Sequence, residues 1–143
     1  MSTTYETPKG TSTSKENDVH RLAVGGGMTP AEVMEHLRTN NVRLVGLRFT
    51  VMFGQWQHFT IPTTAMSESI FTEGLGFDGS SLRAWKTIDE SDMLVVPDSA
   101  TAVMDPFYRE PTMVLVGSVL DPITKEDYTK DPRNVARKAE AYM

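Results

Sequence analysis

Between Leu44 and Phe53 the chain alternates with a period of two: Val45, Leu47, Phe49, Val51 and Phe53 stand against Leu44, Gly46, Arg48, Thr50 and Met52. A helix cannot gather such a pattern into one stripe, whereas an extended strand puts every second side chain on the same face. The segment is read as a strand with one wholly apolar face. Gly54-Gln55 supplies a hairpin turn, and Trp56 to Ile61 return as the second strand until Pro62 ends it. On that strand Phe59 and Ile61 share one face, while Trp56, His58 and Thr60 share the other.

Helix signals flank the hairpin. Thr29, Pro30, Ala31 and Glu32 form a capping box with proline at the first helical position, Val33, Met34 and Leu37 make the apolar stripe, and Asn40-Asn41 closes the helix. Between Thr63 and Gly74 the spacing of Met66, Ile70 and Phe71 predicts a second helix stopped by Gly74. Further on, Met93 to Val96, Thr101 to Met104 and Thr112 to Leu120 read as three strands, separated by Pro97-Asp98-Ser99 and Asp105-Pro106. A last helix begins at Asp131 and Pro132, with Val135, Ala139 and Tyr142 left without an apolar partner of their own. Residues 42 to 122 thus hold about five strands and one central helix, enough for a small core but not for a large enclosed site.

Composition narrows the function classes. The chain has 143 residues and a formal net charge of -5, and its 14 lysines and arginines are scattered, which argues against nucleic acid and anionic membrane surfaces as partners. No apolar run approaches the ~20 residues of a membrane span. Cysteine is absent, so disulfides, thiolate ligands and thiol nucleophiles are excluded, and a cytoplasmic location is the expectation. Residues 1–27, rich in Ser, Thr, Lys, Glu and Gly and ending in Gly25-Gly26-Gly27, are expected to be a disordered tail.

Chemistry has few places to reside. His20, His36 and His58 are far apart and have no paired acids, so no metal site is expected; His58 reads as a half-buried packing residue. No phosphate-cradling glycine loop and no nucleophile elbow occur. What stands out is Gly76-Phe77-Asp78-Gly79-Ser80-Ser81, a carboxylate between two glycines followed by two hydroxyls. It is ordinary turn chemistry, and equally a way to hold Asp78 out at an edge, with the glycines permitting unusual angles or close approach. A polar stretch follows with Arg83, Trp85, Lys86, Asp89, Glu90 and Asp92, in which Trp85 is the residue a solvated loop does not explain.

Several motifs in one order then carry a resemblance: Arg48-Phe49-Thr50, Trp56-Gln57-His58, Phe77-Asp78-Gly79-Ser80-Ser81, Trp85-Lys86, Glu90-Ser91-Asp92-Met93, Pro97-Asp98 and Asp105-Pro106-Phe107. Over about residues 29 to 143 the chain resembles the N-terminal domain of bacterial-type glutamine synthetase. The resemblance implies an α+β, β-grasp fold: a curled sheet of about five strands packed on one helix, with a flanking N-terminal helix. It implies a domain over residues 28–124, followed at 125–143 by a linker and the first helix of a missing catalytic domain. It also implies that Asp78 binds ammonium and helps to deprotonate it, that Ser81 is a supporting hydroxyl, and that Ser80, Trp85, Lys86 and Asp92 belong to the substrate loop or a subunit contact. The partner implied is the catalytic domain of a neighbouring subunit in an oligomeric ring, with ammonium, glutamate, ATP and magnesium or manganese serving the complete enzyme and no cofactor held by this chain. Departures are Val51 where the family commonly has an acid, Ala84 where it has glycine, and a long segment before Met28.

Two functional readings follow: an N-terminal piece of a synthetase that contributes to its ligase site, or a free-standing β-grasp module that binds or modulates a complete synthetase. An inert structural product is the third. Under all of them the pure 143-residue chain is expected to release no phosphate when given ATP, glutamate and ammonium. A colorimetric phosphate assay checks this, and sustained release dependent on all three would contradict it.

Overall fold

The structure, a computed structural model, describes residues 27–79 and 92–143. The expected tail lies outside them apart from Gly27. The first helix, α1 (Pro30–Thr39), starts as its capping box requires: the Glu32 amide donates to Thr29 Oγ1 at 3.3 Å, and the Thr29 amide donates to Glu32 Oε2 at 2.8 Å. Val33 and Leu37 are fully buried, which makes α1 part of the core and not merely a flank.

Strands β1 (Leu44–Thr50) and β2 (Trp56–Pro62) pair antiparallel from Leu44↔Pro62 to Thr50↔Trp56. The alternation had β1 running to Phe53, but the strand stops earlier because a tight turn takes over. Val51 N donates to Gln55 O at 2.9 Å, Gly54 N donates to Val51 O at 2.8 Å, and Gly54 takes a positive φ of 76°. Val51 still reaches the core, while Phe53 swings outward.

The predicted helix over 63–74 is broken. A 3₁₀ turn covers Thr63–Ala65, and only Ile70–Glu73 form the short helix α2. The serines between them satisfy backbone and hydroxyl groups locally: Ser67 Oγ lies 2.9 Å from Ser69 Oγ, and Ser67 O accepts from the Ile70 amide. Met66, Ile70 and Phe71 nonetheless all pack into the core, so the spacing identified the buried side chains but not their backbone. Gly74 caps α2 at φ 77° and ψ 178°, and a Cβ there would sit 3.0 Å from Val95 O.

The next strand, β3 (Leu75–Asp78), occupies what was expected to be a turn. The two strands expected around Pro97-Asp98-Ser99 are a single one, β4 (Asp92–Asp105), interrupted by a bulge between Asp98 and Val103. Within the bulge the Thr101 hydroxyl replaces a backbone partner, accepting from Val116 N at 2.8 Å and donating to Asp98 O at 2.7 Å. After β5 (Thr112–Leu120) the sheet order is β2-β1-β5-β4-β3, with β1 parallel to β5 and all other neighbours antiparallel. The strand count of five agrees with the expectation, although the partition does not.

The sheet curls strongly. β2 and β3 lie on opposite edges, yet the rings of Phe59 and Phe77 are 6.3 Å apart, and Phe49 of β1 lies 4.8 Å from Phe77. This is an α+β, β-grasp fold with a curled five-stranded mixed sheet. Val45, Leu47, Met93, Val95, Met113, Leu115 and Val119 fill its inner face with α1.

Pairing of β1 with β5 stops at Val116, and the chain beyond β5 folds back to cover the rest of that edge. Tyr128 N donates to Val119 O at 2.9 Å, and the Asp131 carboxylate accepts from Val119 N at 3.0 Å while capping α3 (Pro132–Ala141). Arg133 on α3 pairs with the Asp98 carboxylate and donates to Val116 O at 3.2 Å. Val135 and Tyr142 face outward. Among the described residues no helix is long and apolar enough to cross a membrane.

Gly74→Ala is expected to destabilise the chain by about 1–3 kcal/mol, because the new methyl meets strand β4 in a conformation only glycine tolerates; urea unfolding measures it. Burial raises the Asp131 pKa above its ordinary value, with the amides of Val119 and Arg133 and the Arg133 charge opposing the shift. The folded state therefore binds this proton more tightly than the unfolded chain, and Asp131 favours folding more as pH falls from neutral through its raised pKa toward the ordinary carboxylate range. The stability of Asp131→Asn relative to the parent is expected to be best at neutral pH and to decline across that window in paired urea titrations.

Candidate functional site

Strand β3 ends on Asp78, and the pleat decides where it points. Leu75 and Phe77 turn toward the core, the ring of Phe77 packing against those of Phe49 and Phe59, so Gly76 and Asp78 turn outward. Asp78 is exposed at the end of a strand whose preceding side chain is anchored. The register sets it directly opposite Asp92, the first residue of β4, which is exposed as well. Like charges opposite one another in a ladder repel.

Of the residues expected to act together, the fold thus joins Asp78 and Asp92. Ser80, Ser81, Trp85 and Lys86, with Arg83, Asp89 and Glu90, lie outside the described residues. The role expected of Gly76 belongs elsewhere: its φ is not positive, and among the described residues a Cβ on it would meet nothing within 4 Å. Gly74 is the position that demands glycine, since it turns the chain out of α2 and lays β3 against β4.

His58 is exposed rather than half-buried, because β2 is an edge strand whose outer face has no covering layer among the described residues. Its cross-strand neighbour Arg48 makes a 2.7 Å ion pair with Asp105, whose carboxylate also accepts from Phe107 N at 3.0 Å. Asp105 pairs in register with Thr112, at the far end of the sheet from Asp78, so this contact ties strands together and does not belong to the acidic rim. Among the described residues no three His, Asp or Glu side chains converge as a metal site.

A second feature of the same rim escaped the sequence reading. Because β1 runs parallel to β5, the β1–β2 turn lies at the end of the sheet where β5 finishes and β4 begins. Met52, Phe53 and Trp56 are exposed there, at the same end as Asp78 and Asp92. The absence of any charge from Val51 to Gln57 was the available signal.

Comparison with known proteins places this architecture. Residues 41–122 match the family model described as glutamine synthetase, beta-Grasp domain. The glutamine synthetase of Methylococcus capsulatus is 47% identical over 116 residues, covering 81% of this chain and 25% of that protein. That of Azorhizobium caulinodans is 50% identical over 115 residues, covering 80% and 24%. The 3-hydroxylaminophenol mutase of Cupriavidus pinatubonensis is 47% identical over 113 residues, covering 79% and 24%. Among solved structures, Plasmodium falciparum glutamine synthetase shares the fold at a TM-score of 0.71 and 20% identity, over 80% of this chain and 22% of that one. The chain spans about a quarter of the length of the curated relatives it matches. With its curled sheet, its order of strands and the matched residues 41–122, the chain belongs to the glutamine synthetase family through its β-grasp domain.

Proposed function

We propose that this domain supplies one wall of the active site of a cytoplasmic glutamate–ammonia ligase, completed by the catalytic domain of a neighbouring subunit. The observation that carries the reading is the placement of Asp78: exposed, at the end of a strand, behind a half-buried phenylalanine packed against the core. A carboxylate so fixed can be pushed into another subunit's pocket with little loss of conformational freedom.

In that role Asp78 binds ammonium through charge-assisted N–H···O hydrogen bonds. Ammonium has no lone pair to offer, so one proton must leave before nitrogen can attack; Asp78 takes it, which is efficient once bulk water is excluded. The ammonia released attacks the side-chain carbonyl carbon of glutamate, which ATP has activated by phosphorylation, and phosphate departs. Asp92 keeps the rim negative, so the cation is drawn to Asp78 before transfer. Ser81 supports the site with its hydroxyl, and Ser80, Trp85 and Lys86 line the loop at the subunit contact.

ATP, glutamate and magnesium or manganese are assigned to the catalytic domain, reached through residues 125–143. Among the described residues no three ligating side chains converge.

In the complete subunit, Asp78→Asn is expected to lower turnover by about 100-fold or more while leaving assembly unchanged, since the amide keeps the shape but loses charge and basicity. Steady-state kinetics at saturating ammonium, with sedimentation velocity on the same samples, check both parts. A wild-type rate at saturation would remove Asp78 from the reaction.

A further inference from the structure

We infer that the β1–β2 turn is the apolar anchor of the same subunit contact, so that Met52, Phe53 and Trp56 dock against the catalytic domain that receives Asp78 and seal its site from water. The inference rests on the reading of Asp78 as a residue acting in a second subunit, and it names the surface that holds the two together.

Three observations carry it. The first is exposure: Met52 is 52% exposed, Phe53 69% and Trp56 59%, which is unusual for three large apolar side chains within five residues of one another. The second is rigidity. Val51 is buried in the core and donates to Gln55 O, while Gly54 takes the positive φ that lets its own amide reach Val51 O. The apolar tip is therefore held in place before any partner arrives, which lowers the entropy lost on docking. The third is position. The parallel β1–β5 register carries the tip to the end of the sheet where Asp78 and Asp92 stand, and the curl that sets Phe77 against Phe49 and Phe59 draws the two edges of the sheet toward each other.

The charge pattern selects the occupant. From Val51 to Gln57 there is no ionisable group, so the tip is desolvated at low cost, while the neighbouring carboxylates are strongly hydrated and repel anionic surfaces. An anionic lipid surface fits the first part and is opposed by the second. A protein surface fits both if it is apolar where it meets Phe53 and Trp56 and opens beside them into a polar pocket for Asp78. The contact then has the anatomy of a stable interface, with aromatic side chains excluding water around a polar group that does its work within.

The test uses the complete subunit carrying Phe53→Ser and Trp56→Ser together. Both side chains are exposed in the domain, so the urea midpoint of the dissociated subunit is expected to stay at the parent value, and the conservative pair Phe53→Leu and Trp56→Phe is expected to assemble as the parent does. The serine pair is expected to raise the protein concentration for half-assembly by about tenfold or more in sedimentation velocity, and its activity is expected to recover as protein concentration rises. Asp78→Asn behaves oppositely, with assembly intact and turnover low at every concentration, so the two claims fail separately. Parent-like assembly and concentration-independent activity in the serine pair would overturn the inference. Unchanged assembly together with lost self-association of the isolated domain, or lost binding to phosphatidylcholine vesicles, would overturn it too by naming a different occupant.

Discussion

The packing of three phenylalanines from three strands holds the domain in its working shape. Phe49 and Phe59 come from paired strands, but Phe77 comes from the far edge of the sheet, and its ring reaches them only because the sheet curls. Each aromatic contact contributes on the order of 0.5–1.5 kcal/mol beyond the burial of its area. Their combined effect is geometric as well. They close the sheet on itself, fix the direction of the last residues of β3, and thereby decide that Asp78 faces outward.

Polar side chains do comparable work where the ladder fails. Thr101 bridges the bulge of β4 through its hydroxyl, and the Asp131 carboxylate supplies the acceptor that Val119 N lacks once β1 has ended. The same Asp131 caps α3, so a single buried carboxylate joins the sheet to the helix that follows it. Its desolvation raises its pKa, which is the cost of joining the two elements through an ionisable group.

How much of this was legible in the sequence depends on the range of the force involved. The capping box of α1 and the buried face of β1 are set by neighbours a few residues away, and both appear as read, the face as far as Val51, with Phe53 turned outward. Met66, Ile70 and Phe71 were assigned correctly to the core although their helix broke, because burial follows hydrophobicity while the backbone there is taken up by short local turns such as Met66 N to Thr63 O and Ile70 N to Ser67 O. Pro97-Asp98-Ser99 looked like an end, but Pro97 and Asp98 stay in register with β5 and the extra residues are absorbed in a bulge between Asp98 and Val103, bridged by the Thr101 hydroxyl. At the candidate site Asp78 was recognisable by its motif. Its register with Asp92 and its shared rim with the β1–β2 turn arise from sheet order and curl, which no local pattern encodes.

The parallel pairing of β1 with β5 has a consequence for synthesis. The partner edge of β1 is the last strand of the sheet to leave the ribosome, after β2, α2, β3 and β4 have all been made. Until Thr112 and its successors emerge, the nascent hairpin offers bare amides and carbonyls along one side. The order of translation thus leaves the most adhesive part of the domain unguarded for longest, and cellular handling of the growing polypeptide must bridge that interval.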